Sequence, residues 1–160
     1  MIKRNDVYSL VRSFRCAFHG IAYCIINERN MRIHLSAVVL VSFFSYYYGL
    51  ERLELALLLL CCGLVISAEA INTAIEALVN LGSPAYHPYA RIAKDVAAGG
   101  VAVTAIAAAI VGLILFLDPQ RLSAAAERIL CSPLRTGAVA ALLFAAVLFI
   151  FTPPRRKSRP

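Results

Sequence analysis

Residues 55–81 read LALLLLCCGLVISAEAINTAIEALVNL, an apolar run interrupted only by Ser67, Glu69, Asn72, Thr73, Glu76 and Asn80. A spanning helix needs about 20 such residues to cross a hydrocarbon layer roughly 30 Å thick, so this run predicts a membrane span whose last turns stand at the interface. On insertion scales a carboxylate at mid-bilayer costs about 2.5–3.5 kcal/mol, and this helix holds two. At about 100° per residue, Glu69, Asn72 and Glu76 fall at roughly 0°, −60° and −20°, with Thr73 bordering them at about +40°. They form one narrow stripe facing one partner or cavity. Such a stripe can hold a hard divalent cation, act as acid or base, pair with basic groups of a neighbouring helix, or line an ion pathway. It can also serve only as a polar seam that fixes helix packing.

On either side the chain keeps the same character. It is 160 residues long and 61% hydrophobic, more than a soluble domain of this size can hide in one core. Residues 96–117 carry no ionisable side chain, residues 33–50 carry only His34, and residues 136–151 form a shorter apolar run stopped by Thr152-Pro153-Pro154. These predict three further spans. Residues 1–32 mix basic and acidic side chains and lack the uninterrupted apolar core of a signal peptide. In that segment Val7, Leu10, Val11, Phe14, Phe18, Ile21, Ala22 and Ile25 recur at threes and fours, as in an amphipathic helix lying on the membrane surface. The expected fold is therefore all-α and integral to the membrane, with one N-terminal surface helix and multiple spans.

The basic residues set an orientation. Lys3, Arg4, Arg12, Arg15, Arg29 and Arg32 precede the first span, Arg91 and Lys94 lie between the second and third, and Arg155, Arg156, Lys157 and Arg159 follow the last. Only Arg52, Arg121, Arg128 and Arg135 fall in the alternate loops, so the positive-inside rule places both termini in the cytoplasm. The net charge of +7 thus follows from topology and gives no ground for a nucleic-acid partner. Cys16, Cys24, Cys61, Cys62 and Cys131 form no CxxC pair or metal spacing and read as small apolar residues.

The loop after the second span, Gly82-Ser83-Pro84-Ala85-Tyr86-His87-Pro88-Tyr89, leads into a helix restarting at about residue 90. On the charge count it is cytoplasmic and brings Tyr86, His87, Arg91, Lys94 and Asp95 to the face where Glu76 emerges. Glu28, in the turn before the first span, lies on that side too. Lys94 and Asp95 beside Glu76 make a mixed-sign cluster suited to polyphosphate and its metal. Gly99-Gly100 and the alanines around them read as a small-residue packing surface.

The octapeptide Glu69-Ala70-Ile71-Asn72-Thr73-Ala74-Ile75-Glu76, followed by Ala93-Lys94-Asp95-Val96-Ala97-Ala98-Gly99, resembles the prokaryotic diacylglycerol kinase and undecaprenol kinase family. Phe14, Ala17 and Gly20-Ile21, and the run Glu28-Arg29-Asn30-Met31-Arg32-Ile33-His34, fit it as well, so the resemblance covers about residues 13–117. It implies an integral membrane lipid kinase of the bacterial inner membrane, a homotrimer with active sites between subunits, that moves the γ-phosphoryl group of ATP to a lipid hydroxyl. That agrees with the absence of any GxxxxGKS/T or GxGxxG phosphate loop.

By the same resemblance Glu69 is the general base, Glu28 and Glu76 bind the magnesium that bridges the ATP phosphates, and Lys94 neutralises charge on the transferred group. Asn72 positions Glu69 or the hydroxyl, Asp95 orients polar neighbours, and Tyr86 and His87 contact the nucleotide. The adenine pocket stays unassigned, since Cys16 stands where some members carry an aromatic residue. Residues 1–117 form the kinase unit, and residues 118–160 add a linker, a fourth span and a basic tail without catalytic signature. Ser83-Pro84, His87-Pro88 and the residues 94–99 favour undecaprenol over diacylglycerol as substrate. A cation or proton pathway is the reading from another class.

Overall fold

The computed structural model describes residues 4–82 and 87–152. Six helices make up the described chain: α1 (Arg4–Asn27), α2 (Arg29–Tyr48), α3 (Arg52–Gly82), α4 (Pro88–Phe116), α5 (Pro119–Leu130) and α6 (Pro133–Phe151). No strand occurs among the described residues, and α3, α4 and α6 are each long and apolar enough to cross a membrane. The all-α membrane reading is thereby met. The helix over the expected first span is not among these three: α2 begins four residues earlier and takes in Arg29 and Arg32, which with His34 and three serines dilute its apolar content. At 1.5 Å per residue α2 still rises about 30 Å, the thickness of the hydrocarbon layer.

Local chemistry explains where the helices stop. The left-handed Gly49 (φ 77°) ends α2, a conformation that costs a residue with a Cβ, and its N–H returns to the Ser45 carbonyl. The N–H of Glu51, two residues later, donates to the Glu54 carboxylate at 2.8 Å, half of a capping box at the start of α3. α4, α5 and α6 each open on a proline in their first turn, where the missing N–H costs nothing. Asp118 caps α5 by accepting from the backbone N–H groups of Gln120 and Arg121.

That capped α5 is the main departure from the expected organisation, since residues 118–130 read as a linker. Its turns fold back over the junction of α2 and α3. Arg121 meets both oxygens of Glu54 at 3.0 and 3.1 Å and lies 4.0 Å from Glu51, the Asp118 N–H donates to the Tyr48 hydroxyl, and Arg128 donates to the Tyr47 carbonyl. Ala125 is fully buried beneath this clasp.

α3 and α4 form the most extensive helix pair, and α2 packs on α3, α5 and α6. The path alternates in direction. At one end Tyr48 and Phe44 of α2 stack on Phe116 at the close of α4. At the other, the start of α2 meets the end of α3, Lys94 near the start of α4 reaches Asn80, and Phe151 at the end of α6 meets Arg29. α1 touches α2 and α3 while leaving Leu10, Val11, Phe14, Phe18 and Ile21 exposed, the apolar side expected of a surface helix. Large apolar side chains along α4, such as Val103, Ile106, Ile110 and Ile114, are also exposed, as a bilayer or a neighbouring chain requires. A Cβ built on Gly99 or Gly100 meets nothing within 4 Å, so the small-residue surface of α4 is not used for close packing within this chain.

Candidate functional site

The polar stripe of α3 points inward, as its angular spacing requires. Glu69 is 1% exposed, Asn72 and Thr73 are buried, and Glu76, two turns on, is half-buried. The Thr73 hydroxyl donates to the Glu69 carbonyl at 3.0 Å, which satisfies it locally, while the Asn72 amide donates to a Glu76 carboxylate oxygen at 3.2 Å. Two acceptors remain unsatisfied in the buried region: Oε2 of Glu69 and Oδ1 of Asn72 have no hydrogen-bond partner among the described residues. A buried acceptor without a donor is costly and marks a place where a ligand group completes the bonding.

Both residues line a cavity of about 330 Å³ between α2, α3 and α4. Asn30, Ile33 and His34 supply the α2 side, and Ala98, Val101, Ala102 and Ala105 supply the α4 wall. The polar groups thus gather on two walls and the third is made of methyl and isopropyl groups. That division suits a molecule with one hydroxyl and a hydrocarbon body.

Toward the end of α3 the charges of Glu28 and Glu76 bear on each other and on Glu69. Glu28 is the N-cap residue of α2, and its side chain makes no capping bond. Partial burial holds its carboxyl above the ordinary carboxylate range, the Glu76 charge adds to the rise, and Arg32 acts in the opposite sense. Two like charges held close favour a bound cation. No group of three His, Cys, Asp or Glu side chains able to hold a metal occurs among the described residues. A Glu pair nonetheless fits magnesium, which binds through one or two carboxylates and completes its shell with phosphate oxygens and water, and it does not fit zinc.

Of the remaining residues expected at the site, Lys94 joins the stripe: its ammonium donates to Oδ1 of Asn80 at 2.7 Å, one turn beyond Glu76. Asp95 lies on the outer side, 72% exposed and 3.8 Å from Arg91. His87 is exposed, its ring 5.7 Å from that of Tyr89, and Tyr86 lies outside the described residues. Within this single chain, Glu28, Glu69, Asn72, Glu76 and Lys94 form one continuous polar track, while Asp95 and His87 stand beside it.

Sequence reasoning left out Asn80, His34 and Arg32. Asn80 continues the same stripe at an (i, i+4) step from Glu76, a spacing that was available in the sequence. Arg32 is 6% exposed, with an Nε that lacks a partner among the described residues. Its position beside a span read as an ordinary flanking charge.

Comparison with known proteins agrees with the geometry. Residues 15–116 match the family described as prokaryotic diacylglycerol kinase. A diacylglycerol kinase of Synechocystis is 44% identical over 112 residues, covering 69% of this chain and 64% of the relative. An undecaprenol kinase of Bacillus subtilis is 38% identical over 114 residues, covering 71% of this chain and 93% of the relative. The diacylglycerol kinase of Escherichia coli K12 is 28% identical over 106 residues, covering 66% of this chain and 87% of the relative. The match therefore spans just under two thirds of the Synechocystis protein and nearly all of the Bacillus one. No solved structure matches the chain.

Proposed function

We propose, for a chain that belongs to the prokaryotic diacylglycerol kinase family, that this site transfers the γ-phosphoryl group of ATP to the hydroxyl of a membrane-dissolved alcohol, with undecaprenol ahead of diacylglycerol. The observation that carries the reading is Glu69: a buried carboxylate with one buried unsatisfied oxygen, lining a cavity with an apolar wall and followed along the helix by Glu76, which with Glu28 at the start of α2 makes an acid pair suited to magnesium. A proton acceptor that meets its substrate inside the bilayer has to be placed in that way.

In this reading the alcohol enters the cavity with its chain along Ala98, Val101, Ala102 and Ala105. Its O–H donates to Oε2 of Glu69. As the proton moves to Glu69, the alcohol oxygen bonds to the γ-phosphorus, and the bond from that phosphorus to the bridging oxygen of ADP breaks. Asn72, held by Glu76, keeps Oδ1 available to the reacting group, and Lys94 lies where charge develops on the transferred oxygens. Glu28 and Glu76 would hold magnesium, which when bound neutralises charge on the phosphates. Asp95 orients polar neighbours, and Tyr86 and His87 contact the nucleotide.

The exposed apolar side of α4 and the outward position of Asp95 and His87 support a homotrimer in which the nucleotide lies between chains. The charge distribution supports a bacterial cytoplasmic membrane protein with the site end and both termini inside. Undecaprenol comes first because the relative that its name describes is covered almost end to end.

The test is transfer of label from ATP by the purified chain in detergent with magnesium, offered undecaprenol and diacylglycerol separately. Faster labelling of undecaprenol is expected. Faster labelling of diacylglycerol overturns the substrate assignment, and label in neither lipid rejects the kinase reading.

A further inference from the structure

The family match ends at residue 116, before α5 and α6, yet α6 runs back along α2 to the end of the molecule where the acids gather. Val139, Leu142, Ala146 and Ile150 recur along its partly buried side, one seam against its neighbours. At the last turn the guanidinium of Arg29 lies over the ring of Phe151, 5.1 Å from the ring centroid. Thr152 terminates α6 there: its N–H and its hydroxyl both donate to the Leu148 carbonyl, at 2.9 and 2.6 Å. The position of Phe151 is thus set by the helix end.

Arg29 directly follows Glu28, and the two residues form the turn from α1 into α2. The Glu28 side chain makes no capping bond, so its own helix start does not fix the carboxylate, and the basic charge that acts on it is that of Arg32. Arg29 brings a second guanidinium to that site, beside Arg32. A guanidinium forks onto carboxylates more readily than a hydrated divalent ion sheds its water. Over an aromatic face it is held elsewhere.

We infer that Phe151 is a positioning residue for the metal-nucleotide site: by seating Arg29 on its ring it fixes the turn that carries Glu28 and keeps the guanidinium out of the Glu28–Glu76 pair. The C-terminal extension then acts as a brace for the kinase unit, anchored at one end by Arg121 on Glu54 and at the other by Phe151 on Arg29. The inference rests on the phosphoryl-transfer reading given above.

The experiment measures binding of Mn²⁺, a paramagnetic stand-in for magnesium, together with a non-hydrolysable ATP analogue, by electron paramagnetic resonance on the full chain in detergent. Glu28→Gln tests the metal site itself, and its failure to weaken Mn²⁺ binding overturns the metal reading independently of Phe151. Given that weakening, Phe151→Ala is expected to weaken Mn²⁺ binding about two- to fivefold. Phe151→Tyr keeps the ring and should bind as the parent does, and Phe144→Ala, an equally exposed phenylalanine on the same helix (both 66%), should have no effect. In turnover the Phe151→Ala defect appears as a higher magnesium requirement with kcat restored at saturation. Unchanged Mn²⁺ binding in Phe151→Ala, or an equal loss in Phe151→Tyr or Phe144→Ala, overturns the inference.

Discussion

Lys94 near the start of α4 donates a 2.7 Å hydrogen bond to Oδ1 of Asn80, one turn beyond Glu76 on α3, so a neutral amide holds the ammonium at the end of the acidic stripe. The neutrality matters. An amide fixes the position of Lys94 without cancelling its charge, which stays available to a phosphate. Asn80→Ala should lower kcat about three- to tenfold by loosening Lys94. Asn80→Asp should lower it further, because a carboxylate there pairs with the ammonium. Steady-state kinetics on the two variants decide it, and an Asn80→Asp enzyme faster than Asn80→Ala contradicts the role given to Lys94.

Glu69→Gln keeps the size and burial of the side chain and removes its capacity to take a proton. Turnover should fall about 10²- to 10⁴-fold, the usual worth of a general base. Apparent affinities for ATP and lipid should stay within a few-fold, and the melting temperature should not drop, since the substitution removes a buried charge. If activity survives at a tenth of the parent level, the proton leaves by another route.

The raised titration of Glu28 gives a pH dependence with a definite sign. A carboxyl whose folded value lies above its unfolded value contributes stability that is complete below the unfolded value and is lost as pH rises through the folded one. Mild acid should therefore stabilise the metal-free protein, and magnesium should stabilise it only where Glu28 has lost its proton. Thermal melts with and without magnesium should show a larger magnesium-dependent rise at pH 8 than at pH 5. The difference should vanish in Glu28→Gln. An equal rise at both pH values places the ion elsewhere.

The α3 stripe was legible in the sequence because polar residues in an apolar run stand out and because 100° per residue fixes their common face. Glu69, Asn72 and Thr73 are buried together for that reason. Less local features were not legible. Whether Lys94 meets Asn80 depends on how the chain turns between α3 and α4, and no spacing within one helix encodes that. Arg32 looked like a charge flanking a span and His34 like a lone polar residue at its start, yet the packing of α2 buries the first and places the second on the cavity. α5 was overlooked although Asp118-Pro119 is a cap followed by a first-turn proline, since its twelve residues are too few and too polar to register beside the apolar runs around them.

Asp118 provides a test of that helix apart from the chemistry. Its carboxylate accepts two backbone N–H groups at the start of α5, so Asp118→Ala should cost about 0.5–2 kcal/mol of stability. Asp118→Asn, an equally good cap, should recover most of it. Chemical denaturation in detergent followed by circular dichroism reads both, and equal stability of the alanine variant and the parent shows that α5 does not depend on its cap.

In the proposed reading the hydrocarbon of the alcohol lies along the apolar wall of the cavity. Ala102 lines the cavity with Ala98 and Ala105 on the α4 wall, which carries no carboxylate, and the volume of about 330 Å³ leaves room for a larger side chain. Leucine at this position fills space that the hydrocarbon of the alcohol must occupy, and it reaches no residue that holds phosphate. Ala102→Leu should therefore lower kcat/KM for the lipid by at least about tenfold, since a single misplaced methylene in an apolar pocket is already worth that much. The KM for ATP and the magnesium requirement should stay at parent values. A shorter prenyl alcohol should regain part of the loss, because less of its chain competes with the new side chain. If the ATP and lipid parameters move together, Ala102 acts through the packing of α3 on α4, and the alcohol does not lie against this wall.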